Sequence, residues 1–151
     1  MRSVVADANV FVSFFVERNK AQQEAALALL GAAEEGEIAG VIPQSVVFEI
    51  VYVLQSQYGL TSRQAAAVVG AVNKFPGMQI VDDCPWNRVL ELWPDRLSGL
   101  TGATIVALAT TNRYDAVATF GRKLSNRLQP SASTRTFEGC VAQRFGVMVN
   151  E

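Results

Sequence analysis

The chain has 151 residues, half of them hydrophobic and 18% charged, with a net charge of −1. Such a composition suits one globular domain over residues 1–151 with a core of its own, and it excludes a disordered or low-complexity chain. There is no histidine, which rules out Ser-His and Cys-His nucleophilic catalysis, histidine general-base chemistry and histidine-ligated zinc together.

The net charge gives no overall attraction to nucleic acid, but its distribution is uneven. Residues 1–100 carry 11 acids and 7 bases, whereas residues 101–151 carry 3 acids and 6 bases. Arg122, Lys123, Arg127 and Arg135 fall in a stretch without acids, which reads either as a solvated face or as a phosphate-facing patch. Cys84 and Cys140 match no metal-ligand spacing and no disulfide framework. Reduced thiols in turn imply a cytoplasmic setting. Arg2 and the apolar run after it begin like a leader peptide, but Asp7 and Asn9 break the run. No stretch approaches the ~20 apolar residues of a membrane span.

In chain order, Val4-Val5-Ala6 reads as a short buried strand, followed by Asp7, Asn9 and a helix over 9–16. An alanine- and leucine-rich helix over 21–33 ends at Gly36. Ile38 to Ile42 forms a second strand, and Pro43 opens a strongly apolar helix to Tyr58. Thr61 and Gln64 form a capping box for a helix over 62–74. Pro76-Gly77 is a turn before a third strand, Met78 to Val81. A helix over 85–93 stops at Pro94, and Asp82 and Asp83 are placed to cap it. Thr101 can cap a helix over 102–112, and Ala116 to Phe120 forms a fourth strand. Residues 129–136 read as a loop and 146–149 as a final strand. Strands alternating with helices imply βαβ units and a mainly parallel sheet covered on both faces. No glycine pattern of a phosphate loop is present.

Two carboxylates stand out. An acid at the carboxyl end of a parallel strand, as Asp7 would be, lies where open α/β sheets hold ligands; equally, Asp7 and Asn9 are good helix caps. Glu49 is the single charge in Val46 to Leu54, a segment apolar enough to be buried on most of its surface. No lysine or arginine occurs between Lys20 and Arg63, so no neighbour on its helix can neutralise it. A buried unpaired carboxylate costs several kcal/mol, so either Glu49 is an ordinary carboxylate at the rim of this helix or a distant arginine, protonation or a metal ion must compensate. Together the two acids suggest Mg²⁺ or Mn²⁺, which take hard oxygen ligands and activate water for phosphodiester displacement.

Asp7-Ala8-Asn9-Val10 resembles the opening Asp-Thr-Asn-hydrophobic motif of PIN domains, in particular the VapC-like toxin half of toxin–antitoxin pairs. Pro43 to Leu54 resembles their second motif. Gly102 to Ala109 resembles the third, which usually begins Asp-Ala, and Ala118-Thr119-Phe120-Gly121-Arg122 the fourth, usually Thr-Phe-Asp-Arg. The four occur in order over residues 2–128. The resemblance implies an α/β/α sandwich with a mainly parallel sheet and Mg²⁺- or Mn²⁺-dependent cleavage of single-stranded RNA by four clustered acids. By position, Asp7 and Glu49 match the first two acids as catalytic and metal-binding residues, and Asn9, Thr119 and Arg122 are the substrate contacts it suggests. The third and fourth acids fall on Gly102 and Gly121, which implies weak metal binding and impaired catalysis. The alternative is a non-catalytic module that binds RNA or protein. Asp95 and Asp115 lie near these motifs but at no motif position. The resemblance also implies an antitoxin partner and a homodimer, for which the alanine-rich helices 21–33 and 62–72 are the candidate contacts.

Overall fold

The computed structural model describes residues 1–122 and 124, and two further strands, Thr134–Thr136 and Met148–Asn150. Lys123, Arg127, Cys140 and the segments 129–133 and 146–147 lie outside the described residues. The elements in chain order are β1 (Arg2–Ala6), α1 (Ala8–Phe15), α2 (Lys20–Glu34), β2 (Ile38–Pro43), α3 (Gln44–Tyr58), α4 (Ser62–Asn73), β3 (Met78–Val81), α5 (Trp86–Leu92), α6 (Leu100–Thr111), β4 (Ala116–Ala118), β5 (Thr134–Thr136) and β6 (Met148–Asn150). The strands lie in the order β3-β2-β1-β4-β6-β5. The first four are parallel, and β6 runs antiparallel to both β4 and β5.

β1 takes a central place because it can be buried on both faces. Val4, Val5 and Ala6 are at most 2% exposed, and Val4 and Val5 face opposite cores, as successive strand residues do. Val4 joins Val10, Ala25, Leu29 and Ala33 beneath α2, whereas Val5 joins Val46, Ile50, Leu54, Val89 and Ile105 beneath α3, α5 and α6. The result is a three-layer α/β/α sandwich with a mainly parallel sheet, as the sequence predicts.

Two glycine turns set the spacing of the layers. Gly36, at φ +78°, ends α2, a left-handed conformation that suits glycine. Gly77 sits at φ +73°, with its α-carbon so close to the Ala33 carbonyl that a β-carbon would overlap it.

The sequence reading needs correction in five places. Pro43 is the last residue of β2 and caps α3 from outside the helix. α3 is not buried on most of its surface: Val46, Ile50 and Leu54 face the core, but Phe48 and Tyr52 are 73% and 70% exposed. α6 begins earlier than expected, with Gly99 at its cap and Thr101 already helical. Asp82 and Asp83 do not cap α5, whose cap is Pro85 without a side-chain bond. Thr134–Thr136, expected within a loop, pairs with β6.

Candidate functional site

Four parallel strands deliver their carboxyl ends to one edge of the sheet. β1 leads into Asp7, β4 into Thr119, β2 into α3, and β3 into Asp82. The backbone N–H of Asp7 donates to the Ala118 carbonyl at 2.9 Å, which keeps the exits of β1 and β4 together. One Asp7 carboxyl oxygen, Oδ1, accepts the Ala8 N–H at 2.7 Å and caps α1. The other, Oδ2, accepts the Thr119 hydroxyl at 2.7 Å and Asn9 Nδ2 at 3.4 Å. Capping and site-building, alternatives in the sequence, are thus performed by the two oxygens of one side chain.

Thr119 is 1% exposed, and its hydroxyl also accepts the Gly121 N–H at 2.9 Å. Asn9 Oδ1 accepts the Phe120 N–H at 3.1 Å. The turn after β4 is therefore tied to the first turn of α1 through three polar side chains. Arg122 follows this turn and is exposed.

Glu49 comes from α3 and is half-buried. Burial raises its pKa, and the Asp7 charge raises it further. Burial also raises Asp7, against the lowering effect of the Thr119 and Ala8 hydrogen bonds. The two acids therefore share one electrostatic environment, and neither shift has a nearby cation among its causes. Of the three remedies for Glu49, the distant arginine is not seen among the described residues.

The two motif glycines border this site. A β-carbon on Gly121 would lie 3.2 Å from Thr119 Oγ1, 3.6 Å from Asn9 Nδ2 and 3.9 Å from Leu124 Cβ. One on Gly102 would meet Leu124 Cδ1 at 3.5 Å. Neither glycine has the left-handed backbone that resists side chains. Among the described residues no three acidic or cysteine side chains are grouped so as to hold one metal ion, so Asp95 does not join Asp7 and Glu49. Asp115 accepts the Ser3 N–H and hydroxyl at 2.7 and 3.0 Å, at the opposite edge of the sheet. One contact that the sequence reading missed joins α3 to α6: Ser45 and Thr104 bond at 2.7 Å, and Thr104 donates to the Thr101 carbonyl at 2.7 Å. Hydroxyls on the core-facing sides of both helices were the available signal.

The donor set tests which metal chemistry can reside here. Two carboxylates whose ionisation is disfavoured by burial and mutual charge suit a hard divalent cation, because a cation relieves both penalties.

A mainly parallel α/β/α sandwich, with Asp7 after β1 and Glu49 on α3, defines the class: an α/β domain with its candidate site at the carboxyl edge of the sheet. A family model described as the PIN domain matches residues 4–127, and the chain belongs to that family. Among solved structures, the chain is similar to VapC20 of Mycobacterium tuberculosis, described as a toxin that cleaves the sarcin-ricin loop. The match has 14% identity and a TM-score of 0.60, covering 82% of this chain and 93% of that one. At that identity the likeness is one of fold. No curated protein sequence matches the chain.

Proposed function

We propose that this chain is a single PIN domain of toxin–antitoxin type whose acidic site retains Asp7 and Glu49 and has lost the other two acids, leaving catalysis on single-stranded RNA impaired. The observation that supports this most directly is that the Asp7 charge acts on Glu49, raising its pKa, while glycines stand at the two remaining positions. Asp7 and Glu49 would hold Mg²⁺ or Mn²⁺ weakly, and the bound ion would supply water activation and charge neutralisation at a phosphodiester. In this reading Thr119 and Asn9, suggested by the motifs as substrate contacts, act by fixing Asp7. Arg122, exposed beside the same turn, is placed to meet a phosphate. The setting is cytoplasmic, and the partners are a cognate antitoxin and a second copy of the chain.

A non-catalytic RNA- or protein-binding module is the second reading, favoured by the absence, among the described residues, of any three acids grouped to hold a metal ion. One experiment separates the two. Cleavage of a single-stranded RNA is measured with and without Mn²⁺ for the wild type and for Asp7→Asn. Slow, metal-dependent cleavage that Asp7→Asn abolishes supports the impaired enzyme. No cleavage at any metal concentration supports the binding module. Brisk cleavage abolished by Asp7→Asn would overturn the impairment.

A further inference from the structure

We propose that Arg18 contacts the phosphodiester backbone of single-stranded RNA, holding the strand on the α1 side of the Asp7 site while Arg122 meets it at the turn after β4. The inference rests on the proposed function for its substrate class and adds a residue that lies outside the four motifs. Arg18 follows α1 in the link to α2 and is exposed. Its guanidinium is nonetheless held in place. Nε and Nη2 donate to the Ser13 hydroxyl oxygen at 3.3 and 3.1 Å, and Nη2 comes within 3.5 Å of the Asn9 carbonyl.

The anchor is a buried one. Ser13 is 0% exposed, and its hydroxyl donates to Gln22 Oε1 at 3.2 Å, so its proton and both lone pairs are in use. An arginine on an open surface samples many rotamers, whereas this one is folded back along α1 by a buried hydroxyl. Of its five donors, the two on Nη1 have no partner among the described residues. A guanidinium fixed in this way gives up less freedom when it binds an oxyanion.

Its position points to the ligand. Asn9, whose carbonyl Arg18 approaches, binds Asp7 and the Phe120 N–H through its side chain, and Arg122 lies two residues beyond Phe120. Both arginines are therefore tied to the site through Asn9. Among the described residues neither forms an ion pair. Neither is a cause of the Asp7 and Glu49 shifts, so their charge is not spent on the acids. Two unspent cations at the rim of an acidic site suit a ligand with anionic groups in series: one phosphate at the acids and others beside it. An acidic protein segment would also meet arginines, but RNA carries a phosphate at every nucleotide and so supplies the whole series.

The test titrates the full chain against a labelled oligouridine by fluorescence anisotropy, in EDTA to prevent metal-dependent cleavage, at several salt concentrations. For single strands the logarithm of affinity falls with the logarithm of salt by about 0.7 for each phosphate contact. Arg18→Gln should weaken binding about fivefold and reduce that slope by about 0.7, and Arg18→Lys should keep the slope. Arg63→Gln, the same charge change on α4, should match the wild type in both. If Arg18 only fastens the α1–α2 link, Arg18→Gln would lower the melting temperature and leave the slope alone, which overturns the proposal. Failure of the wild type to bind the RNA overturns it too. An acidic peptide of equal charge that binds as tightly, and is lost equally in Arg18→Gln, would assign Arg18 to a protein partner and also overturn it. Cleavage with Mn²⁺ is read separately. Binding through Arg18 without any cleavage refutes the impaired-enzyme reading and leaves this inference standing, whereas cleavage with an unchanged slope in Arg18→Gln refutes this inference alone.

Discussion

At the scale of single residues, Asp7 carries the conflict on which the site depends. Its carboxylate is buried, which favours the neutral acid, and it is hydrogen-bonded by Thr119 and Ala8, which favours the charged form; burial prevails and its pKa is raised. A carboxyl raised in the folded state binds its proton more tightly there than in the unfolded chain. Its contribution to stability is then fully present below the unfolded pKa of about 4 and is lost as pH rises through the higher folded value. Glu49 shifts in the same direction and adds to the effect. The metal-free protein should therefore become less stable from about pH 4 towards neutrality on account of these two groups. Asp7→Asn, which keeps an oxygen to cap α1, should be more stable than the wild type at pH 7 and show a flatter pH dependence. Urea unfolding at several pH values checks this, and an Asn variant less stable at pH 7 would contradict it. Thr119→Val tests the opposing influence. It removes a buried donor to Asp7 and an acceptor for Gly121, and it should cost about 1–3 kcal/mol in urea unfolding at pH 7. No change would mean that the hydroxyl is not needed to hold the carboxylate.

At the scale of elements, the sequence was most legible where a backbone device has a short signature. Thr61 and Gln64 form the reciprocal capping box they suggest, with bonds of 3.2 and 2.9 Å. Asn19 caps α2 through Gln22 N–H at 3.0 Å; Gln22, three residues on, completes the sequence signature of a box, but its side chain accepts the Ser13 hydroxyl at 3.2 Å instead. α3 was misread for a different reason. Counting apolar residues does not show which side faces the sheet, and the stripe Val46, Ile50 and Leu54 suffices to bury one face while Phe48 and Tyr52 point away. α6 is the reverse case: Ala103 through Ala109 are all buried, and small side chains let it sit against the sheet and its neighbours at once. Its single weak point is Gly102 in the first turn, where backbone and space both accept a side chain. Gly102→Ala should stabilise the fold by about 0.4–1 kcal/mol. Gly77→Ala should destabilise it, because the left-handed φ and the Ala33 carbonyl both oppose a β-carbon there. Thermal unfolding of the two variants should move in opposite directions, and matched shifts would refute the distinction.

At the scale of the whole molecule, the site is a product of topology. Asp7, Glu49, Gly102 and Gly121 are scattered over more than a hundred positions, and parallel pairing of β1 with β2 and β4 brings their elements to one edge. The alternation of strands and helices made this edge legible in the sequence, as did the order of the four motifs. The acids that do not belong to it were harder to sort: Asp115 bonds Ser3 at the far edge, whereas Asp82 and Asp83, expected to cap a helix, line the cleft beside Glu49. Their role depends on how the chain leaves β3, which no local pattern encodes.

The same topology defines the strongest test of the missing acids. Gly102→Asp with Gly121→Asp would add two carboxylates around Leu124, the second within reach of Thr119 and Asn9, whose neighbours must yield by a few tenths of an ångström. Without metal, four like charges at one edge should lower stability, and each new charge should raise Asp7 and Glu49 further. With metal the balance reverses: an ion that binds the folded state alone stabilises it by mass action, about 2.7 kcal/mol at a concentration one hundred times its dissociation constant. The double variant should therefore melt below the wild type in EDTA, rise more steeply with Mn²⁺, and cleave single-stranded RNA faster once loaded. Thermal unfolding across a Mn²⁺ titration, run beside the cleavage assay, measures both effects. If the wild type gains as much from Mn²⁺ as the double variant does, two carboxylates already hold the ion well, and the glycines do not weaken the site.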